Sequence, residues 1–121
     1  MGPSLIFITS CEFNEREMSI LASKKSETMT ELWHVTCPIL PGHFTGTGDL
    51  CAALLLAHTA NPSNSLQAAM EKVINTMHAV IRRTTEQSFN KFSVKAQELR
   101  LIQSKRDIEE PPSLFHAERL G

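Results

Sequence analysis

The run His43-Phe44-Thr45-Gly46-Thr47-Gly48-Asp49 sets two glycines, hydroxyl side chains and a carboxylate directly before the apolar stretch Leu50 to Ala57. Glycines at such a junction let backbone amides turn toward a ligand with no Cβ in the way. A helix beginning there adds unpaired N–H groups and the positive end of its dipole, which together favour an anion. Asp49, beside those amides, is placed to take a proton from an alcohol as a phosphoryl group arrives. The chemistry implied is phosphoryl transfer. The competing reading is a capped helix start, in which Thr47 or Asp49 satisfies the first-turn amides and nothing binds. The flank favours a ligand. Leu50, Ala52, Ala53, Leu54, Leu55, Leu56 and Ala57 leave the helix no polar face, which predicts burial on all sides. The loop that opens a buried helix of an α/β protein is a common place for ligands.

Several elements must position this loop. Ser4 to Thr9 is a continuous β-branched apolar run, which predicts a buried parallel strand with Thr9 and Ser10 at its carboxyl end. Met18 to Ala22 and Leu32 to Val35 are further strand candidates, with Ser23 to Glu27 as a hairpin turn and Trp33 packed on the sheet. Pro38, Pro41 and Gly42 interrupt regular structure before the loop. The apolar helix runs from about Thr47 to His58, and Asn61-Pro62-Ser63-Asn64 ends it. Asn64 with Gln67 predicts a capping box for the next helix. There Leu66, Met70, Val73, Ile74, Met77 and Ile81 recur at spacings of three and four, an amphipathic stripe. Met70 and Met77 read as core, with a wall against a flat ring as the alternative. Glu71, Lys72, Asn75, Arg82 and Arg83 fall largely on the polar side. Leu99, Leu101 and Ile102 give a short strand-like alternation.

Length and composition set bounds. The 121 residues fit one small domain, and 41% hydrophobic content is ordinary for a globular chain. A net charge of −1, from 12 basic and 13 acidic residues, argues against a nucleic-acid surface. Arg82-Arg83 and Lys24-Lys25 read as solvated faces. No apolar run is long enough for a bilayer span, and the N-terminus lacks the pattern of a leader, so a cytoplasmic location is expected. Cys11, Cys37 and Cys51 have no C-x-x-C spacing, which predicts reduced thiols, with Cys51 in the core. His34, His43, His58, His78 and His116 lack ligand spacing; His43 alone lies close to the loop. Three short strands cannot cover one wholly apolar helix and one striped helix. The chain therefore reads as part of a larger α/β domain.

The loop, the run Asp49 to Ala57 and the tail Glu98-Leu99-Arg100-Leu101-Ile102-Gln103-Ser104-Lys105-Arg106-Asp107-Ile108-Glu109 together resemble the pyridoxal kinase family. The loop alone indicates the wider ribokinase-like superfamily, and the Gln103 to Glu109 tail narrows it. Met1-Gly2-Pro3 and Ile8-Thr9-Ser10 also resemble an internal stretch of that family. The resemblance covers the family's C-terminal part and is weakest from Cys11 to Pro41. It implies the C-terminal portion of a three-layer ribokinase-like fold, residues 1–121 forming an ATP-binding and catalytic portion with an incomplete sheet and two main helices.

The implied reaction is ATP-dependent phosphorylation of the 5′-hydroxymethyl group of pyridoxal, pyridoxine or pyridoxamine, with Mg2+ (or Zn2+) and K+ (or Na+). By position, Asp49 matches the catalytic base, and Gly46, Thr47 and Gly48 match the anion hole. Thr9 and Ser10 match a pair that touches the nucleotide, Thr9 also lying near the monovalent cation. Met77 and Ile81 match positions flanking adenine. The stretch Cys37 to Leu40 stands where the family lines the nucleotide, but its residues depart from the pattern. Divalent-metal ligands and vitamer contacts are expected upstream of Met1, so a shortened product is expected. Family members are homodimers, and no nucleic acid or membrane partner is implied. Two alternatives stand beside this: a hydroxymethylpyrimidine kinase, and a non-catalytic chain that associates with other chains.

Overall fold

The computed structural model describes residues 4–14, 17–25, 28–38, 44–86, 97–99, 101 and 103–120, of which 4–14, 44–45 and 97–98 by backbone alone. Strands β1 (Ser4–Asn14), β2 (Glu17–Lys25) and β3 (Thr30–Pro38) form an antiparallel meander. The parallel strand expected at Ser4 to Thr9 is thus antiparallel and longer. Its connections decide this: two residues separate β1 from β2, and four separate β2 from β3. A parallel pair needs a crossover of about a dozen residues or more. Thr9 and Ser10 sit mid-strand, opposite Ile20 and Ser19, just before the register shifts between Ser10 and Asn14. They lie where regular pairing ends, not at the strand's carboxyl end. Residues 26–27 of the expected hairpin turn fall outside the described residues.

Period-2 alternation builds one face of the sheet. Met18 pairs with Cys37, Ile20 with Val35, and Ala22 with Trp33, and all six join the core, Trp33 at its margin. Opposed apolar pairs of this kind are the unit of sheet stability. Cys37 is buried among them, and burial pushes its thiol up to about 12, so it is no nucleophile near neutral pH.

Helix α1 (Thr47–Ala60) follows the short strand β4 (Phe44–Thr45), and α2 (Leu66–Glu86) packs against both α1 and the meander. The stripe expected on α2 holds: Met70, Val73, Ile74, Met77 and Ile81 are buried. The expected all-round burial of α1 does not. Cys51, Leu54 and Leu55 face the core, while Ala52, Ala53, Leu56 and Ala57 are exposed. Uniform apolarity leaves a helix with no preferred face, so its burial depends on how many neighbours surround it. Among the described residues α2 covers one side only.

The capping box is also corrected, by one residue. Ser65 Oγ accepts from the Ala68 amide (3.1 Å). Asn64 is instead drawn back to α1, donating to the His58 carbonyl and accepting from Lys72 Nζ. The strand-like run near Leu99 becomes β5 (Gln97–Glu98) followed by a turn at Leu101, with Ile102 outside the described residues. β5 pairs in parallel with β4, so α1 and α2 lie within one parallel crossover. Helix α3 (Lys105–Glu109) is tied to α2 by Arg83 and Asp107 at 2.9 Å, with Ile108 packed on the core.

Asn75, expected on the polar side of α2, is 3% exposed. The chain beyond α3 crosses that side of the helix, where Asn75 takes hold of Leu114 and Phe115. It ends as β6 (Glu118–Arg119) on the edge of β3. No helix among the described residues is long and apolar enough to cross a membrane.

Candidate functional site

The loop sits where the parallel strand β4 runs into α1, at the carboxyl end of that strand. Gly46 is the N-cap residue with φ +86° and ψ 6°. An L side chain there costs about 1–2 kcal/mol, so the backbone itself demands glycine. The first helical bond runs from the Leu50 amide to the Gly46 carbonyl (2.9 Å). The amides of Thr47, Gly48 and Asp49 therefore precede the ladder, and the N-cap residue, Gly46, has no side chain with which to cap them. The capped-start reading gave the cap to Thr47 or Asp49, whereas the N-cap position is held by Gly46. Asp49 is exposed in the first turn, where the dipole favours a carboxylate.

Gly48 has no such backbone reason. It lies within α1 without a positive φ, and a Cβ built on it would meet nothing within 4 Å. Glycine inside a helix costs about 0.5–1 kcal/mol against alanine, and no neighbour among the described residues requires it. An open space beside first-turn amides, kept free of a Cβ, is what close approach by an anion needs.

The remaining candidates are spread out. Met77 and Ile81 are in the apolar core with Cys51, Leu54 and Leu55, Met77 at 1% exposure and Ile81 nearer the rim at 8%. Thr9 and Ser10 are in the meander, with side chains outside the described residues. His43 and residues 39–40 of the Cys37 to Leu40 segment are outside them as well. Among the described residues no three His, Cys, Asp or Glu side chains converge as metal ligands. A groove of about 250 Å³ on the far side of α2, lined by His78, Arg82, Arg83, Glu86, Asp107 and Leu114, was not foreseen. No spacing signals it, because its residues meet only when α3 folds back. Its charges are internally paired, Arg83 to Asp107 and Arg82 to Glu86, both at 2.9 Å.

His78 stacks edge-on against Phe115, centroids 4.8 Å apart. Burial, then the Arg82 charge, holds its pKa below the usual 6.5; burial, then Lys72, does the same for His58. The unfolded chain therefore binds more protons than the folded one in mild acid. Stability present above the usual imidazole value should be lost as pH falls through the lowered folded values. Urea midpoints between about pH 7 and about pH 5 should fall, and His78→Phe, which keeps the ring contact, should flatten the trend. A midpoint that rises on acidification would contradict this.

No family model matches the chain. The pyridoxal kinase of Sus scrofa is 35% identical to it over 132 residues, covering 97% of this chain and 41% of that protein. The chain is a relative of the pyridoxal kinases. It matches their C-terminal portion and spans about two fifths of the length of the curated relatives. Among solved structures, pyridoxal kinase from Trypanosoma brucei superposes with a TM-score of 0.77 at 25% identity, over 97% of this chain and 39% of that one. Pyridoxal kinase from Leishmania donovani in complex with ADP and pyridoxamine gives 0.75 at 24%, over 89% and 36%. The fold is thus a partial α/β fold of the pyridoxal kinase kind, its parallel component represented here by β4 and β5.

Proposed function

We propose that this chain carries the phosphate side of an ATP-dependent kinase that phosphorylates the 5′-hydroxymethyl group of pyridoxal and its relatives. One observation carries the reading: among the described residues Gly48 is a glycine without a packing or backbone reason, beside three first-turn amides to which the Gly46 N-cap offers no side chain, and beside the Asp49 carboxylate. The Thr47, Gly48 and Asp49 amides would hold the oxygens of the transferring phosphoryl group, where oriented dipoles are worth most. As the alcohol oxygen bonds to phosphorus, its proton passes to the Asp49 carboxylate and the bond to the departing ADP breaks. Thr9 and Ser10 are the proposed nucleotide contacts, Thr9 with the monovalent cation. Of the two positions expected to flank adenine, Ile81 at the rim of the core is the proposed apolar contact, whereas Met77, 1% exposed, serves the core. The described residues do not fit a divalent ion, so no step is derived through one. The Leishmania relative with ADP and pyridoxamine bound supports the pairing of nucleotide and vitamer.

Gly48→Ala tests the reading because its two effects should have opposite signs. With nothing to clash against in the chain itself, alanine should stabilise the fold by about 0.5–1 kcal/mol. The same Cβ should obstruct phosphate, so ATP with magnesium, which should bind the unmodified chain more weakly than about micromolar, should bind the variant more weakly still. Calorimetry and urea unfolding read the two effects. A stabilised variant with unchanged ATP binding would leave the loop a plain helix start. Phosphorylation of hydroxymethylpyrimidine, but not pyridoxal, by a complete enzyme containing this chain would redirect the substrate assignment.

A further inference from the structure

The groove on the far side of α2 has no part in the kinase reading. Its lining comes from three elements: His78, Arg82 and Arg83 of α2, Asp107 of α3, and Pro112 and Leu114 of the segment that follows α3. Leu114 is 58% exposed, although its amide is pinned to Asn75. The volume, about 250 Å³, lies just below the usual range of small-molecule sites, roughly 300–1,000 Å³. Such a space admits one ring or a short chain.

Two guanidiniums line this space from adjacent positions, and they are held unequally. Arg83 gives Nη2 to Asp107, whose side chain is 19% exposed. That pair ties α3 to α2. The Arg83 Nε is buried with no hydrogen-bond partner, so even this guanidinium is not saturated. Arg82 gives its Nε to Glu86, and the two side chains are 62% and 59% exposed. An exposed ion pair one helical turn apart contributes little. Arg82 is therefore the cation that an arriving acid can recruit, with Glu86 free to swing away. A guanidinium carries five donors in a planar fork, which leaves the two Nη groups of Arg82 for a bidentate acid. Pro112 and Leu114 bring no charge to the groove, only apolar surface.

We propose that this groove is a binding site for a small acid, a carboxylate or a phosphate ester carried on a body no larger than one ring. The acid group sits on Arg82 with Arg83 beside it, and the body lies against Pro112 and Leu114. The occupant touches α2, α3 and the segment after α3 together, so it fastens the stretch that leads on to β6. The site stands whether or not the loop transfers phosphate.

The test titrates the isotope-labelled 121-residue chain with benzoate and with phenyl phosphate, following backbone amide shifts. Inorganic phosphate lacks the body, and benzyl alcohol lacks the charge. Saturable shifts are expected at Ala79, Arg82, Asp107 and Leu114, with a Kd of about a millimolar for an acid of this size. Arg82→Gln should weaken binding about tenfold or more, the effect of losing a charged hydrogen-bond donor. Glu86→Gln should act in the opposite direction and tighten it about two- to fivefold, because it removes the competing carboxylate. Lys105→Gln, on the exposed side of α3, should change nothing. Bound acid should also slow amide exchange from Leu114 to Leu120. Whichever of the two acids binds tighter names the acid group, and either supports the site.

Inorganic phosphate binding as well as phenyl phosphate would mean an adventitious ion only and would overturn the proposal. Benzyl alcohol binding as well as benzoate would overturn it too, leaving an apolar cleft. Binding that Gly48→Ala weakens and Arg82→Gln leaves intact would put the acid at the loop instead. No saturable shift at concentrations an order of magnitude above the expected Kd would remove the site altogether.

Discussion

In a fusion that supplies the upstream portion of a relative, Asp49→Ala should lower kcat by about 10²–10⁴-fold, the usual cost of a lost general base. ATP affinity should hardly change. In the proposed mechanism the carboxylate is needed when the hydroxyl attacks, whereas the nucleotide would dock on amides that the substitution leaves in place. The N-cap position belongs to Gly46, so the substitution does not touch the cap. Asp49→Asn keeps the shape and cannot accept the proton, so it should fail to rescue turnover. Single-turnover phosphorylation of pyridoxal beside nucleotide titration separates the two quantities. A sharp loss of ATP affinity with turnover spared at saturation would make Asp49 a dipole partner of α1 and end its assignment as the base.

Asn75→Ala should be the most damaging polar substitution in the described fold. Its Nδ2 donates to the Glu71 carbonyl (2.7 Å) and to the Phe115 carbonyl (2.9 Å). Its Oδ1 accepts from the Leu114 and Phe115 amides, both at 2.9 Å. Every hydrogen-bonding position of the amide is used. Removal leaves three backbone groups of residues 114–115 without this partner in a partly buried site, and a loss of about 2–4 kcal/mol is expected. The segment they anchor also carries the buried Ala117 and β6. Faster amide exchange should therefore spread from Leu114 to Leu120 and expose the β3 edge. Urea unfolding and hydrogen exchange read both effects. A change within about 0.5 kcal/mol, the range of an ordinary surface substitution, would show that the strap is held by other contacts.

The two helices show how far local pattern reaches. On α2 the spacing of Met70, Val73, Ile74, Met77 and Ile81 was enough to name the buried side, because a stripe of one width has one way to face a core. Asn75 broke the pattern because the segment that buries it arrives from Phe115, forty positions along the chain. On α1 the composition predicted burial on every side, and only half of it is met. Apolarity records what a helix is built to touch, not how much of that surface this stretch of chain supplies. The β1 expectation failed for a simpler reason: a buried strand reads alike in parallel and antiparallel sheets, and the length of the connection decides between them.

The sequence by itself determined which groups stand at the loop. Gly46, Thr47, Gly48 and Asp49 are adjacent, so the identity of the amides, the carboxylate and the missing Cβ atoms needed no folding to be read. The resemblance to pyridoxal kinases was equally legible, since the loop and the Gln103 to Glu109 tail are local runs of residues. Tertiary structure alone decided that Gly46 takes the N-cap position and that, among the described residues, Gly48 has open space before it. It also decided that the exposed apolar side of α1 begins at Asp49. These are statements about which groups are absent from a place. Absence of a neighbour depends on the path of the whole chain, which no local spacing of residues encodes.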